Sequence, residues 1–362
     1  MLKIQLRSCC KYSMLFMAFI GCQEKIVEKE KDDDKTPTHR VEVEIAEAFN
    51  NYFTRYGDGW TGADATYSIP LPDGRIVWIF GDTFLGEVDS MNRSRDPQSL
   101  INNSFMVQEG DDFVTLYGNT DPPSAFLVPP NPLEKYWPNH GFTYDDRLFV
   151  FLYTWKNNEN GGIFGFDFVR TDQAVFDLPS LSLQSIHTIE DDDRVIWGIS
   201  VMKEGPYLYI YGSEDRPFES KRLHLARVPL ANLEADWSYW TQNGWSLEEE
   251  SYPLLEGISN QFSVFKHQNN YYLIVQGDSF SEKIYRYKAT KPQGPFTDPL
   301  VLYETPDHGG ETWTYNACAH PEFMQEDSSL LISYNVNTMN FSELFENADY
   351  YRPYFVWVKN WE

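Results

Sequence analysis

The sequence predicts an all-β protein, a five-bladed β-propeller, and two observations lead there. One motif (a short strand, a tight polar turn, a strongly apolar strand) recurs five times along the chain. The composition also favours strands, because 16% of the residues are aromatic, and such rings suit the pleated, half-buried surface of a sheet.

In chain order, the first copy is Asp64–Pro70, a turn at Leu71–Arg75 and Ile76–Asp82. The second is His140–Tyr144, a turn at Asp145 and Asp146, and Leu148–Thr154. The third is Trp197–Met202, a turn at Lys203–Pro206, and Tyr207–Ser213. The fourth is Gln261–Phe265, a turn at His267–Asn270, and Tyr271–Asp278. The fifth is His320–Met324, a turn at Gln325–Ser328, and Ser329–Asn335. The repeat is about 60 residues long, a period that hairpins build into a propeller of four-stranded blades. The apolar second strands suit sheets covered on both faces by neighbouring blades. Gly165–Arg170, Leu223–Val228, Ile284–Lys288 and Tyr354–Val358 read as outer strands. A β-sandwich with a second domain is the competing architecture, and it leaves five equivalent hairpins unexplained. Residues 41–53 are amphipathic and are expected to pack outside the blades as a short helix or strand.

The stretch before the repeats has a different character. Lys3, Arg7 and Lys11 precede the apolar run Met14–Ile20, then Gly21 and Cys22, the pattern of a signal peptide. A Cys directly after it resembles a bacterial lipobox, so residues 1–21 are expected to be removed and Cys22 to carry lipid. Phe19 stands where such boxes usually have Leu. Residues 22–40 read as a charged, solvated tether, and residues 41–362 as one propeller domain. The acidic run after Cys22 resembles the signal that sends lipoproteins of Bacteroides-like bacteria to the cell surface. The expected location is therefore the bacterial outer membrane, lipid-anchored and surface-exposed, with a periplasm-facing tether as the alternative. Once Cys22 is acylated, Cys318 has no partner for an intrachain disulfide.

Composition excludes several function classes. With 29 basic and 54 acidic side chains the net charge is −25, so a nucleic-acid partner is not expected. A hydrophobic content of 42% supplies a core and argues against disorder. No apolar run reaches the roughly 18 residues of a membrane-spanning helix. No Gly-x-Ser-x-Gly elbow, phosphate-binding loop or dinucleotide fingerprint is present. His-Glu-x-x-His and paired Cys-x-x-Cys are missing too. Asp32–Asp34 and Asp191–Asp193 lack the glycine and terminal Glu of a calcium loop. No metal or cofactor is expected, and a monomer is.

The first hairpin brings two carboxylates together. A turn centred on Asp73 pairs Ile69 with Val77, Tyr67 with Ile79 and Asp64 with Asp82. Opposed residues on antiparallel strands have Cβ atoms about 5 Å apart. Two carboxylates at that distance repel unless one holds a proton, and a split pair supplies one acid and one base. Each aspartate alone also fits a turn in which it caps nearby backbone N–H groups. The same construction gathers Asn139, His140, Trp197, Asn260, Gln261, Asp278, Asn316, His320 and Asn335 at one mouth, with Trp155 and Glu322. Of these, Asn139, His140, Trp197, Gln261, Asp278, His320 and Asn335 are the expected substrate contacts. They mix groups that bond sugar hydroxyls with rings that stack on sugar faces.

Gly62–Gly86, with Asp64 and Asp82 inside it, resembles the opening blade of a bacterial propeller superfamily. Many of its members are labelled only as domains of unknown function, and one branch comprises the endo-D-arabinanases of glycoside hydrolase family 183. Ala319–Phe323, Leu331–Asn335 and Arg352–Val356 are similar to that superfamily as well. The resemblance implies a glycosidase in which Asp64 and Asp82 form the catalytic pair of an inverting reaction. Inversion needs carboxyls about 6.5–9.5 Å apart, wider than an ideal hairpin gives, and the acid and base roles stay open. The expected function is hydrolysis of a polysaccharide or oligosaccharide with furanosidic pentose, arabinan-like in kind. The alternative is a non-catalytic glycan-binding surface lipoprotein.

Overall fold

Five antiparallel sheets follow one another along the computed structural model. It describes residues 40–57, 59–93, 99–159, 161, 165–190, 194–216, 219–278 and 280–362. The expected signal segment, Cys22, the tether as far as residue 39 and Asp191–Asp193 lie outside those residues. Blade 1 contains Tyr67–Pro70, Ile76–Phe80, Ser104–Glu109 and Asp112–Leu116. Blade 2 contains Glu134–Tyr144, Arg147–Asn157, Phe166–Asp177 and Ser182–Glu190. Blade 3 begins with Val195–Glu204, Tyr207–Glu214 and Arg222–Pro229 and adds short outer strands. Blade 4 contains Ile258–His267, Asn270–Gly277, Lys283–Ala289 and Thr297–Glu304. Blade 5 contains Thr312–His320, Leu330–Thr338 and Pro353–Lys359, and its outermost strand is Glu42–Ile45 from the start of the domain.

The sheets are not hydrogen-bonded into one barrel; packing closes the ring. The first strand of each blade neighbours those of the blades before and after it, and the fifth returns to the first. An apolar cluster fills each gap. Val77 and Ile79 meet Leu148 and Val150, Phe151 meets Val201 and Ile210, and Tyr211 meets Val264 and Leu273. Ile274 meets Ile332 and Val336, and Trp78 and Phe80 meet Leu331 and Phe355. The apolar second strands are therefore covered on both faces, as their sequence requires.

The predicted register holds in blade 1. Ile69 pairs with Val77 and Tyr67 with Ile79. Leu71 N–H donates to Arg75 C=O at 2.8 Å, and Gly74 closes the turn at φ 91°, a region closed to most side chains. The inner strands of blades 2 to 5 differ from expectation. They start earlier, at Glu134, Val195, Ile258 and Thr312, because each contains a bulge that interrupts its alternation. The pairing slips between Pro138 and Gly141, Trp197 and Ser200, Ile258 and Phe262, and Tyr315 and Cys318. Blade 1 breaks in the corresponding place, where Ala65 and Thr66 adopt φ 72° and 60°.

The two chain segments at the ends of the domain lock blade 5 to its neighbours. Val43 pairs with Val358, covering an edge that would otherwise be open to pairing with another chain. The following helix, Glu47–Tyr52, sends Asn50 back to both the N–H and the C=O of Phe355, at 3.0 and 2.9 Å. At the other end Trp361 is fully buried. Its indole donates to Ser328 C=O at 2.7 Å and its ring lies 4.8 Å from that of Tyr272 in blade 4. Removing this ring leaves a cavity at the seam between blades 4 and 5. Trp361→Ala is expected to cost about 3–5 kcal/mol, read as a lower urea midpoint at unchanged slope.

Candidate active site

Antiparallel pairing places the start of every inner strand and the end of every second strand at one mouth of the ring. In blade 1 those positions are Asp64 and Asp82. Asp64 N–H donates to Asp82 C=O at 3.3 Å, and Gly81 N–H donates to Asp64 C=O at 3.1 Å. Just beyond, Ala63 pairs with Thr83, so the hairpin frame runs unbroken through the kink at Ala65 and Thr66. A Cβ on Gly81 would lie 2.5 Å from Asp64 Oδ1, which explains the Gly-Asp order here. Both aspartates are half-buried.

Their surroundings differ. Asp64 Oδ2 accepts from the hydroxyls of Tyr315 at 3.0 Å and Tyr351 at 3.2 Å. Asp82 Oδ1 accepts from Trp137 Nε1 at 2.8 Å and Asn102 Nδ2 at 3.1 Å. Desolvation, then the charge of Asp82, pushes the pKa of Asp64 up to about 7 despite its two phenol donors. Desolvation raises Asp82 as well, while Trp137, Asn102 and the cation Lys135 oppose the rise. Lys135 itself lies over the Trp155 ring, 4.8 Å from its centroid. One carboxyl thus favours its neutral form and the other has a cation and two N–H donors, the arrangement that separates an acid from a base.

The structure moves most of the other expected residues out of the mouth. Gln261 and Asn335 are buried and grip the main chain on either side of Asp64. The Gln261 amide donates to Ala65 C=O, and the Asn335 amide to Ala63 C=O at 3.1 Å. They position the backbone that carries Asp64, and their amides are spent on it. Trp197 is fully buried, edge-on to Trp237 at 5.9 Å; the bulge after it turns the ring away from the channel. Asn139 sits in the bulge of blade 2, also buried, and its amide donates to Trp197 C=O at 3.4 Å. His320 ends the inner strand instead of starting it. It is fully buried, bonded to Ser68 Oγ and, through Nε2 at 2.8 Å, to Ser333 Oγ. Burial pushes its pKa down to about 3. Asp278 is exposed just beyond the second strand of blade 4, and its main chain bonds to Gly257 and Phe280.

His140 faces the channel. Its ring stacks on Tyr67 at 5.6 Å, and Nδ1 accepts from Val201 N–H at 3.1 Å, which places the proton of the neutral ring on Nε2. It lines a cavity of about 250 Å³ shared with Ser68, Cys318 and Glu322, farther down the channel. Glu322 there is bonded to Ser68, and burial pushes its pKa up to about 7. Cys318 is a buried free thiol. No cluster of three or more metal-ligating side chains occurs among the described residues.

A family profile for a domain of unknown function, DUF5005, matches residues 46–361, all of the propeller but its first strand. The chain belongs to the DUF5005 family. No curated protein matches it. This DUF5005 domain is similar to the crystal structure of a candidate hydrolase from Bacteroides ovatus ATCC 8483. The TM-score is 0.76 at 25% identity, over 89% of this chain and 91% of that one. Fainter likenesses run to a family 43 glycoside hydrolase of Bacillus licheniformis, with TM-score 0.47 and 11% identity over 83% of this chain and 51% of that one. Another is an α-L-arabinofuranosidase of Podospora anserina, with TM-score 0.48 and 10% identity over 84% and 92%.

Sequence reasoning missed four of the groups that hold the DUF5005 carboxylates. Trp137 and Tyr315 precede the bulges, beyond the point where regular alternation begins. Asn102 closes an insertion in blade 1, and Tyr351 belongs to the loop before the third strand of blade 5. The signal for Trp137 and Tyr315 was present: extending the inner strands toward Glu134 and Thr312 places both rings level with Asp64.

Asp64 is neutral-favouring only when folded. Its folded pKa lies above its unfolded value, so its stabilising contribution is complete below about pH 4 and is lost as pH rises through about 7. Asp64→Asn is therefore expected to stabilise the protein at pH 8 by at least about 1.4 kcal/mol, one pKa unit's worth. In denaturant titrations that gain should vanish by pH 4.

Proposed function

We propose that this DUF5005 protein is a glycoside hydrolase in which Asp64 is the general acid and Asp82 the general base. The observation that carries this reading is the opposition of two half-buried carboxylates with different partners at one end of the ring. Similarity to the Bacteroides ovatus candidate hydrolase over nearly the full length supports a hydrolytic role.

In the reaction, Asp64 donates its proton to the glycosidic oxygen as the bond to the anomeric carbon breaks. Asp82 takes a proton from a water that attacks that carbon from the opposite face, inverting it. This requires the carboxyls to splay to about 6.5–9.5 Å, and their partners draw Asp64 toward blade 5 and Asp82 toward blade 2. The Tyr315 and Tyr351 hydroxyls then hold the Asp64 carboxylate that forms. The half-buried Trp137, whose N–H is engaged by Asp82, is packed against Tyr153, Trp155 and Phe166, which fixes the indole donor beside the base. Resemblance of the first blade to the endo-D-arabinanases points to furanosidic pentose, an arabinan-like glycan, as substrate. Acylation at Cys22 would hold the enzyme at the outer membrane, where such polymers arrive.

The test is incubation of the protein with plant and mycobacterial polysaccharides, followed by analysis of released oligosaccharides. Arabinan-type substrates are expected to be cut. Asp64→Asn and Asp82→Asn should each lower kcat by about 10²–10⁴-fold while oligosaccharide binding persists. The rate should also fall above pH 7 as Asp64 loses its proton. Binding without turnover of any polymer would make this a glycan-binding protein instead.

A further inference from the structure

Arg93 is a buried cation, 4% exposed, whose hydrogen bonds among the described residues go to oxygens that carry no charge. It donates to Thr61 Oγ1 at 3.2 Å and Thr61 C=O at 2.9 Å. It also donates to the carbonyls of Leu344 at 2.7 Å, Ala348 at 2.9 Å and Tyr350 at 2.7 Å. Its guanidinium lies over the Phe84 ring at 5.1 Å. Desolvation pushes its pKa down to about 10, so it stays charged at neutral pH. The two regions it joins are far apart in sequence, the insertion of blade 1 and the loop that enters the last long strand of blade 5.

The residue after Tyr350 is Tyr351, whose hydroxyl holds Asp64. Tyr351 adopts φ 61°, a conformation that costs a non-glycine residue about 1 kcal/mol or more and persists only where its surroundings impose it. Three contacts do so. Tyr351 N–H donates to Val336 C=O at 2.8 Å, Phe84 packs edge-on against its ring at 5.3 Å, and Arg93 grips the carbonyl of Tyr350. A Cβ on Gly62 would collide with Tyr351 C=O and the Arg93 guanidinium together, so the chain passes this point only as glycine.

We propose that Arg93 is a positioning residue for the active site: by fixing the Tyr350–Tyr351 peptide it holds the Tyr351 hydroxyl on Asp64. The proposal rests on the reading of Asp64 as the acid only for its effect on rate. Its effect on Asp64 itself is measurable without turnover, by following the Asp64 carboxyl carbon through a pH titration in carbon-13 NMR. Tyr351→Phe removes one donor to the ionised carboxylate, which should move the Asp64 titration up by about one pH unit. Arg93→Lys keeps the charge and loses the fork. It is expected to move the titration in the same direction, and the double variant should titrate no differently from Tyr351→Phe. Phe84→Leu loosens the same clamp more gently and should give a smaller shift of the same sign. In the active protein, the alkaline limb of the pH–rate profile should follow these shifts. Folded Arg93→Lys and Phe84→Leu variants that titrate at the wild-type position, or shifts that add to that of Tyr351→Phe, would overturn the proposal. Absence of turnover in the wild-type protein would overturn the hydrolase reading and leave the NMR result standing.

Discussion

Opposing Asp64 to Asp82 across a single hairpin imposes an electrostatic cost that the surrounding blades are built to manage. Desolvation raises both carboxyls, and among the described residues neither is neutralised by a close ion pair. The fold instead gives the two sides unequal help. N–H donors and the nearby Lys135 favour charge on Asp82, whereas Asp64 receives phenols, whose hydroxyls can donate to a carboxylate or accept from a carboxylic acid. That inequality is what the proposed division into an acid and a base rests on. A symmetric environment would leave one proton shared between equivalent carboxyls.

Apart from Asn102, the help comes from outside blade 1. Trp137 belongs to blade 2, Tyr315, Asn335 and Tyr351 to the blade 5 region, and Gln261 to blade 4. Side-chain amides clamp the carbonyls of Ala63 and Ala65, and the backbone between them carries Asp64 through a kink that two left-handed, non-glycine residues would otherwise resist. A ring of separate sheets suits this arrangement, because every blade presents its inner strand to the same channel. Closure by Glu42–Ile45 and by Trp361 therefore acts on the active site as well as on stability, since it sets where blades 4 and 5 stand relative to blade 1.

Alternation and turn chemistry were enough to reveal the five hairpins, the register of the first one and the facing aspartates. Those signals are local: Ile69, Val77 and Gly74 each occupy a position that only one frame allows. What stayed hidden was non-local or broke the period. Inner strands carrying a bulge look half their length, so His320 read as the start of a strand that it ends. Trp197 read as a ring at the mouth because the bulge that turns it into the core has no composition signal beyond Gly198. Tyr351 lies in a loop whose placement is decided by Arg93, more than 250 residues away in sequence, and no local pattern encodes such a contact.

The bulges also explain why the expected mouth residues divide as they do. A residue before a bulge keeps the facing of the outer half of the strand, and a residue after it follows the inner half. Trp137 and Tyr315 lie before the slip and meet the carboxylates. Gln261, inside the slip of blade 4, reaches sideways to the main chain of blade 1. His140 points down the channel toward Glu322, and His320 lies past the slip, bonded to Ser68 and Ser333. The break in every inner strand thus separates two chemical layers: an upper one with the opposed carboxylate pair, and a lower one, lining the cavity, with neutral imidazoles, a thiol and a glutamate whose pKa burial raises.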